Sequence, residues 1–145
     1  MIGSVAWGPA DRLMGGYKPP VLLGALATAA TLALLAVVGK LSMPSLIVWL
    51  AAVGFLSAFG PVLIAHGKSL FAPHQVGRGL TVLNMGSMGG TFLAQTISGY
   101  VIGFFPLAPD GGYELVAYRW VFGLQAVFIL LACLVYFPSR EPASS

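Results

Sequence analysis

Four long stretches of this chain carry no Asp, Glu, Lys or Arg. They lie between Lys18 and Lys40, Lys40 and Lys68, Arg78 and Asp110, and Arg119 and Arg140. Each holds the roughly 20 helical residues needed to cross a hydrocarbon core about 30 Å thick. A lone strand cannot satisfy its backbone in lipid, so helix is the required conformation. Helical spans are therefore expected at 19–39, 44–66, 79–105 and 119–138. In the first, nine Leu and Val residues from Val21 to Val38 favour insertion by about 3 to 5 kcal/mol in sum, with no central charge to oppose it.

Composition closes off the other classes. Of 145 residues, 58% are hydrophobic and 8% charged, against roughly 25% charged in a soluble domain. So short a chain cannot bury that much apolar surface in its own interior. One cysteine, Cys133, excludes a disulfide framework and a Cys-based zinc site. A net charge of +3 spread over several loops makes no nucleic-acid patch. No phosphate loop, nucleophile constellation or carboxylate pair supports an enzyme, and no cofactor or metal site is expected. His66 and His74 fit no metal spacing and read as loop residues. The fold class is all-α: a polytopic membrane protein with four spans plus a partial N-terminal helix over 1–10.

That first segment, MIGSVAWGPA, is about half a span long and lacks a basic leader or cleavage site. It reads as the tail of a transmembrane helix whose beginning is missing, with an interface-lying leader as the alternative. Basic residues set the orientation. Arg12, Lys18, Lys68, Arg78 and Arg140 fall on one side, Lys40 and Arg119 on the other, the latter beside Asp110 and Glu114. The richer side is expected to be cytoplasmic, with both termini there and a polar cytoplasmic tail over 139–145, in a plasma membrane (the inner membrane of a bacterium).

The third span carries the chemistry. At 100° per residue, Asn84, Ser87, Met88, Thr91, Gln95 and Ser98 share one arc, and Gly79, Gly86, Gly89 and Gly90 lie opposite. Gly86–Gly90 and Gly99–Gly103 are small-xxx-small pairs that let helix backbones approach closely. One face should pack on a neighbour and the other present polar groups. Asn84, Ser87, Thr91 and Gln95 either line a water-filled solute path or hydrogen-bond between helices. In the second span, Gly60-Pro61 interrupts the helix, as a hinge or a static kink near Ser57–Pro61. The first and fourth spans, rich in Leu, Val, Ala and Phe, read as peripheral and lipid-facing.

The loop WGPADRLMGGYKPPVLL resembles the cytoplasmic motif of major facilitator superfamily transporters, Gly-x-x-x-Asp-Arg-x-Gly followed by basic residues. Asp11-Arg12 match its acidic-basic pair and Lys18 its basic end. Trp7 stands at the first glycine position with Gly8 one residue later, and Met14 at the second with Gly15 one later. The run Lys68-Ser69-Leu70-Phe71-Ala72-Pro73, then Gly77-Arg78-Gly79, resembles the loop between the tenth and eleventh helices of that family. The resemblance implies the end of helix eight followed by helices nine to twelve of a secondary transporter that works by alternating access. It implies that the tenth and eleventh helices help line the cavity while the ninth and twelfth face lipid. Asp11, Arg12, Lys18 and Arg78 would form a cytoplasmic gating loop. The expected partners are the bilayer, a small solute, and the missing N-terminal helices in cis or in trans, without which the chain should not transport. The alternatives are a small oligomeric four-helix exporter, which would need a membrane-embedded acidic residue in its first span, and a non-transporting scaffold subunit.

Overall fold

Proline marks where most helices of this chain begin. It fits the first turn, whose N–H groups have no intrahelical acceptor. A computed structural model describes residues 2–109 and 111–140. After α1 (Ile2–Trp7) and the short α2 (Ala10–Leu13), Pro19 and Pro20 open α3 (Lys18–Val37). Ser42 caps α4 (Met43–Leu56), its hydroxyl accepting from the Ser45 amide at 3.4 Å, with Pro44 in the first turn. Pro61 opens α5 (Gly60–Ser69). Pro73 opens a 3-10 turn, Pro73–Gln75, that leads into α6 (Val76–Gly103). The last helix, α7 (Leu115–Tyr136), follows a turn in which Leu107 and Tyr113 form an isolated antiparallel bridge around Gly111. The fold is all-α. Residue 110 and the part of the expected tail beyond residue 140 lie outside the described residues.

Among the described residues, three helical segments are long and apolar enough to cross a membrane: Lys18–Val37, Met43–Ser69 and Leu115–Tyr136. The third expected span forms a single helix, α6, of 28 residues. It is long enough to cross, but its glycines, hydroxyls and amides keep its apolarity below that of the other three. The Met43–Ser69 segment is not one continuous α-helix. A 3-10 turn at Ser57–Phe59 separates α4 from α5, just before Pro61.

The core is a helix pair. α3 and α7 run antiparallel, and α3 buries Val21, Ala25, Thr28, Leu32 and Leu35. Those positions step by four and three residues, the spacing that keeps one seam against a partner helix. α7 contributes Ala117, fully buried, and Ala126. The first span is thus the most buried of the apolar spans, half of it covered within the chain, while Leu23, Leu26 and Leu34 stay exposed on its other side. Its uniformly apolar sequence gives no sign of which face is covered, whereas the small residues on the seam let α7 come close. Thr28 and Thr31 enter this seam without penalty because each hydroxyl donates to the carbonyl four residues earlier, Gly24 and Ala27, at 2.7 Å.

Other close approaches use glycine. At Gly24 an added Cβ would lie 2.6 Å from the Phe59 ring. Trp7 meets that ring edge-on at 6.3 Å and donates its Nε1–H to the Phe55 carbonyl at 3.0 Å. Gly67 receives the Leu83 side chain and Gly79 the Phe71 ring, which together hold α5 against the start of α6.

Candidate functional site

The two ends of the α3–α7 pair are fastened by different side chains. At one end Lys18 donates its Nζ–H groups to the carbonyls of Phe137, at 2.8 Å, and Ser139, at 3.0 Å, just past the end of α7. These carbonyls have no intrahelical donor, and a cation is favoured at a helix C-terminus. At the opposite end Arg119 does the same for α3. Its Nε–H donates to the Ala36 carbonyl at 2.5 Å and its Nη2–H to that of Val37 at 3.2 Å. Neither role is signalled locally in the sequence, since the partners lie 119 and 83 residues away.

His66 is the functional-looking residue that sequence reasoning misplaces. It lies in the last turn of α5, not in a loop, and is 1% exposed. Its ring stacks on Tyr17 at 5.7 Å and meets Tyr136 edge-on at 5.5 Å. The Arg140 carbonyl can only accept, so His66 Nε2–H donates to it at 3.0 Å. In the neutral ring Nδ1 then accepts from the Tyr136 hydroxyl at 2.5 Å. One side chain thereby joins α5, the loop before α3 and the end of α7. The only sequence hint is that the apolar run of α5 continues through Ala65 up to it.

The expected gating-loop residues gather at the same end but do not form one cluster. Asp11 and Arg12 sit on α2, where Gly15, at φ +70°, turns the chain and Gly16 N–H donates to the Asp11 carbonyl at 2.9 Å. That positive φ is the reason for a glycine one residue past the motif position. Asp11 Oδ1 is buried without a hydrogen-bond partner among the described residues, and Arg12 points to the exterior. Lys18 serves α7, and Arg78 is exposed in the first turn of α6.

The expected solute-path residues lie along the middle of α6. Ten consecutive residues there, Asn84 to Leu93, are exposed on every side of the helix. α6 touches α5 and α7 but nothing covers this middle. Asn84, Ser87, Thr91 and Gln95 are all exposed. Thr91 turns its hydroxyl back to the Ser87 carbonyl at 2.9 Å, whereas the Asn84 and Gln95 amides meet no partner among the described residues. Thr81, Asn84, Met85 and Met88 line an open groove of about 410 Å³. Ser98, on the same arc, is buried. The glycine face is equally open. Gly86, Gly90, Gly99 and Gly103 have no atom within 4 Å of a notional Cβ, and neither has Gly60. The expected packing of that face on a neighbour is therefore not made among the described residues, whose own close contacts fall instead on Gly3, Gly24, Gly67 and Gly79. Pro61 is exposed at the start of α5. Among the described residues no three His, Cys, Asp or Glu side chains come together in a way that could hold a metal.

No curated protein and no solved structure matches the chain. The family model of the Major Facilitator Superfamily matches it over residues 1–145. With three helices apolar enough to span a bilayer and a fourth that is long, glycine-rich and polar on one face, the chain belongs to the Major Facilitator Superfamily, a family of integral membrane transporters.

Proposed function

We propose that this chain forms the final helices of a secondary transporter and that the polar arc of α6 lines its solute path. The uncovered middle of α6 carries the reading. An amide facing hydrocarbon without a hydrogen-bond partner is costly, so Asn84 and Gln95 require water, solute or other helices against them. In the proposed assembly helices N-terminal to this chain, in cis or in trans, face α6 across a water-filled cleft. The chain alone does not transport a solute.

The end that gathers Arg12, Lys18, Lys68, Arg78 and Arg140 is assigned to the cytoplasm by its excess of basic residues, in a plasma membrane. Asp11 and Arg12 then sit at the cytoplasmic mouth. Asp11 Oδ1, unpartnered among the described residues, would accept from a helix of the other half. The break at Ser57–Phe59 is the place where α5 can move relative to α4. A second reading follows from the open glycine face of α6: small-xxx-small pairs at Gly86–Gly90 and Gly99–Gly103 equally suit self-association into an oligomeric exporter or scaffold.

Accessibility to water tests the leading reading without knowledge of the solute. Single cysteines are placed at Asn84, Thr91 or Gln95, and at the exposed Val135 of α7, in a Cys133→Ser background of the native membrane. They are then treated with a membrane-impermeant thiol reagent. Reaction at the α6 positions at least tenfold faster than at Val135 is expected. Equal protection at all four positions would refute a solute path. A C-terminal tag at the native locus reports size at the same time. Disulfide-linked homodimers from Gly86→Cys or Gly99→Cys would favour the second reading.

A further inference from the structure

An amphiphilic cleft lies at the end of the α3–α7 pair opposite His66. Its apolar part holds about 640 Å³ and is lined by Ala36 of α3 and by Val116, Trp120, Gly123, Leu124 and Val127 of α7. The α7 residues recur every three or four positions, so they form one stripe along the helix. Gly123 supplies the notch, an added Cβ there coming within 3.7 Å of the Ala36 methyl. From Val116 to Val127 the stripe runs about 16 Å at 1.5 Å per residue. That is close to the thickness of one hydrocarbon leaflet, roughly half of 30 Å.

The cleft has a charged mouth. A second hollow of about 530 Å³, lined by Lys40, Tyr113, Glu114 and Arg119, shares Val116 and Arg119 with the first. Lys40 pairs with no described residue and is exposed. Arg119 spends two of its five N–H donors on the Ala36 and Val37 carbonyls, leaving three. Those two bonds also hold the guanidinium at the rim. Lys40 and Arg119 against Glu114 leave one net positive charge among these lining groups. Trp120, 63% exposed in the first hollow and next in sequence to the shared Arg119, is the residue type favoured where a bilayer's apolar and polar zones meet.

We infer that an anionic phospholipid binds in this cleft, its phosphate between Lys40 and Arg119 and one acyl chain along the stripe from Val116 to Val127. The apolar stripe matches a chain of leaflet length. The basic mouth selects an anionic headgroup over a zwitterionic one. The site is separate from the polar arc of α6 and does not depend on the transport reading.

Brominated lipids test it, because bromine quenches tryptophan at short range. The full chain is reconstituted in phosphatidylcholine vesicles holding a minor fraction of either brominated phosphatidylglycerol or brominated phosphatidylcholine. The Trp120 contribution is taken as the difference from Trp120→Phe. The anionic lipid is expected to quench Trp120 at about one fifth the concentration of the zwitterionic one, the selectivity of one basic residue at a membrane surface. Lys40→Gln should remove that preference, Val127→Phe should weaken quenching by both lipids, and Lys68→Gln, at the other end, should change neither. Equal quenching by the two lipids overturns the proposal. So does a preference that survives Lys40→Gln, one that Lys68→Gln abolishes as fully, or one that persists in Trp120→Phe.

Discussion

Replacing His66 with Phe isolates the polar part of what that residue does. Phe keeps the ring stacked on Tyr17 and edge-on to Tyr136 but offers no nitrogen to the Tyr136 hydroxyl or the Arg140 carbonyl. A buried polar group that loses its partner costs about 1 to 3 kcal/mol. The Arg140 carbonyl belongs to an exposed residue near the chain end, where water can replace the lost donor, so its share falls at the low end. The Tyr136 hydroxyl is part-buried and carries the larger share. The sum is about 2 to 4 kcal/mol. Tyr136→Phe alone should cost about 1 to 2 kcal/mol. Because the two residues contact each other, the double variant should fall short of additivity by at least about 0.5 kcal/mol. The assay is SDS-induced unfolding from mixed micelles, followed by tryptophan fluorescence, with all four proteins at the same detergent ratio. A His66→Phe midpoint within about 0.5 kcal/mol of the native chain, or full additivity with Tyr136→Phe, would show that the cluster does not tie α5 to α7.

Arg119→Met should destabilise by about 2 kcal/mol, since two charge-assisted hydrogen bonds and a favourable helix-end charge are lost together. Arg119→Lys should recover only the charge, about half of that, with faster amide exchange confined to the last turn of α3. Gly67→Val should cost more than 2 kcal/mol because the Leu83 side chain already occupies the space of a Cβ. Gly86→Ala, in open space, should instead stabilise the isolated chain by up to about 1 kcal/mol through helix propensity, as read in the same SDS titration. If Gly86→Ala destabilises the isolated chain, α6 is packed within it after all.

What was legible in the sequence is whatever a local pattern can carry. The charge-free runs locate the long helices, although α6 and α7 start before Arg78 and Arg119, and Gly60-Pro61 falls beside the 3-10 interruption. The arc containing Asn84 and Gln95 is a matter of arithmetic at 100° per residue. The rest is pairing over distance. His66 reaches Tyr136 across 70 positions and Arg119 reaches Ala36 across 83, and no spacing rule connects them. The burial of α3 was hidden for a different reason. In a helix apolar all round, the covered face is set by which side chains are small enough for a partner to approach, here the buried Ala25 and Ala29 on α3 and Ala126 on α7, not by a contrast of polarity. The same logic misled at α6, where Gly86, Gly90, Gly99 and Gly103 look made for packing but meet nothing among the described residues, while Gly3, Gly24, Gly67 and Gly79 do the packing.

That contrast separates the chain into two mechanical parts. α3 and α7 share a buried seam and are fastened at both ends, by Lys18 and His66 at one and by Arg119 at the other. Shearing one helix past the other would break charged contacts at both ends at once, so the pair should move as a unit. α6 is held to α5 by Leu83 over Gly67 and by Phe71 over Gly79, and then runs uncovered for ten residues. α4 and α5 are separated by a 3-10 turn rather than joined in one rigid rod. In a transporter that alternates access, parts near the path must change neighbours while the outer shell holds its shape. Here the clamped, apolar pair is built like the shell, and the loosely held, polar helix is built like the part that changes neighbours.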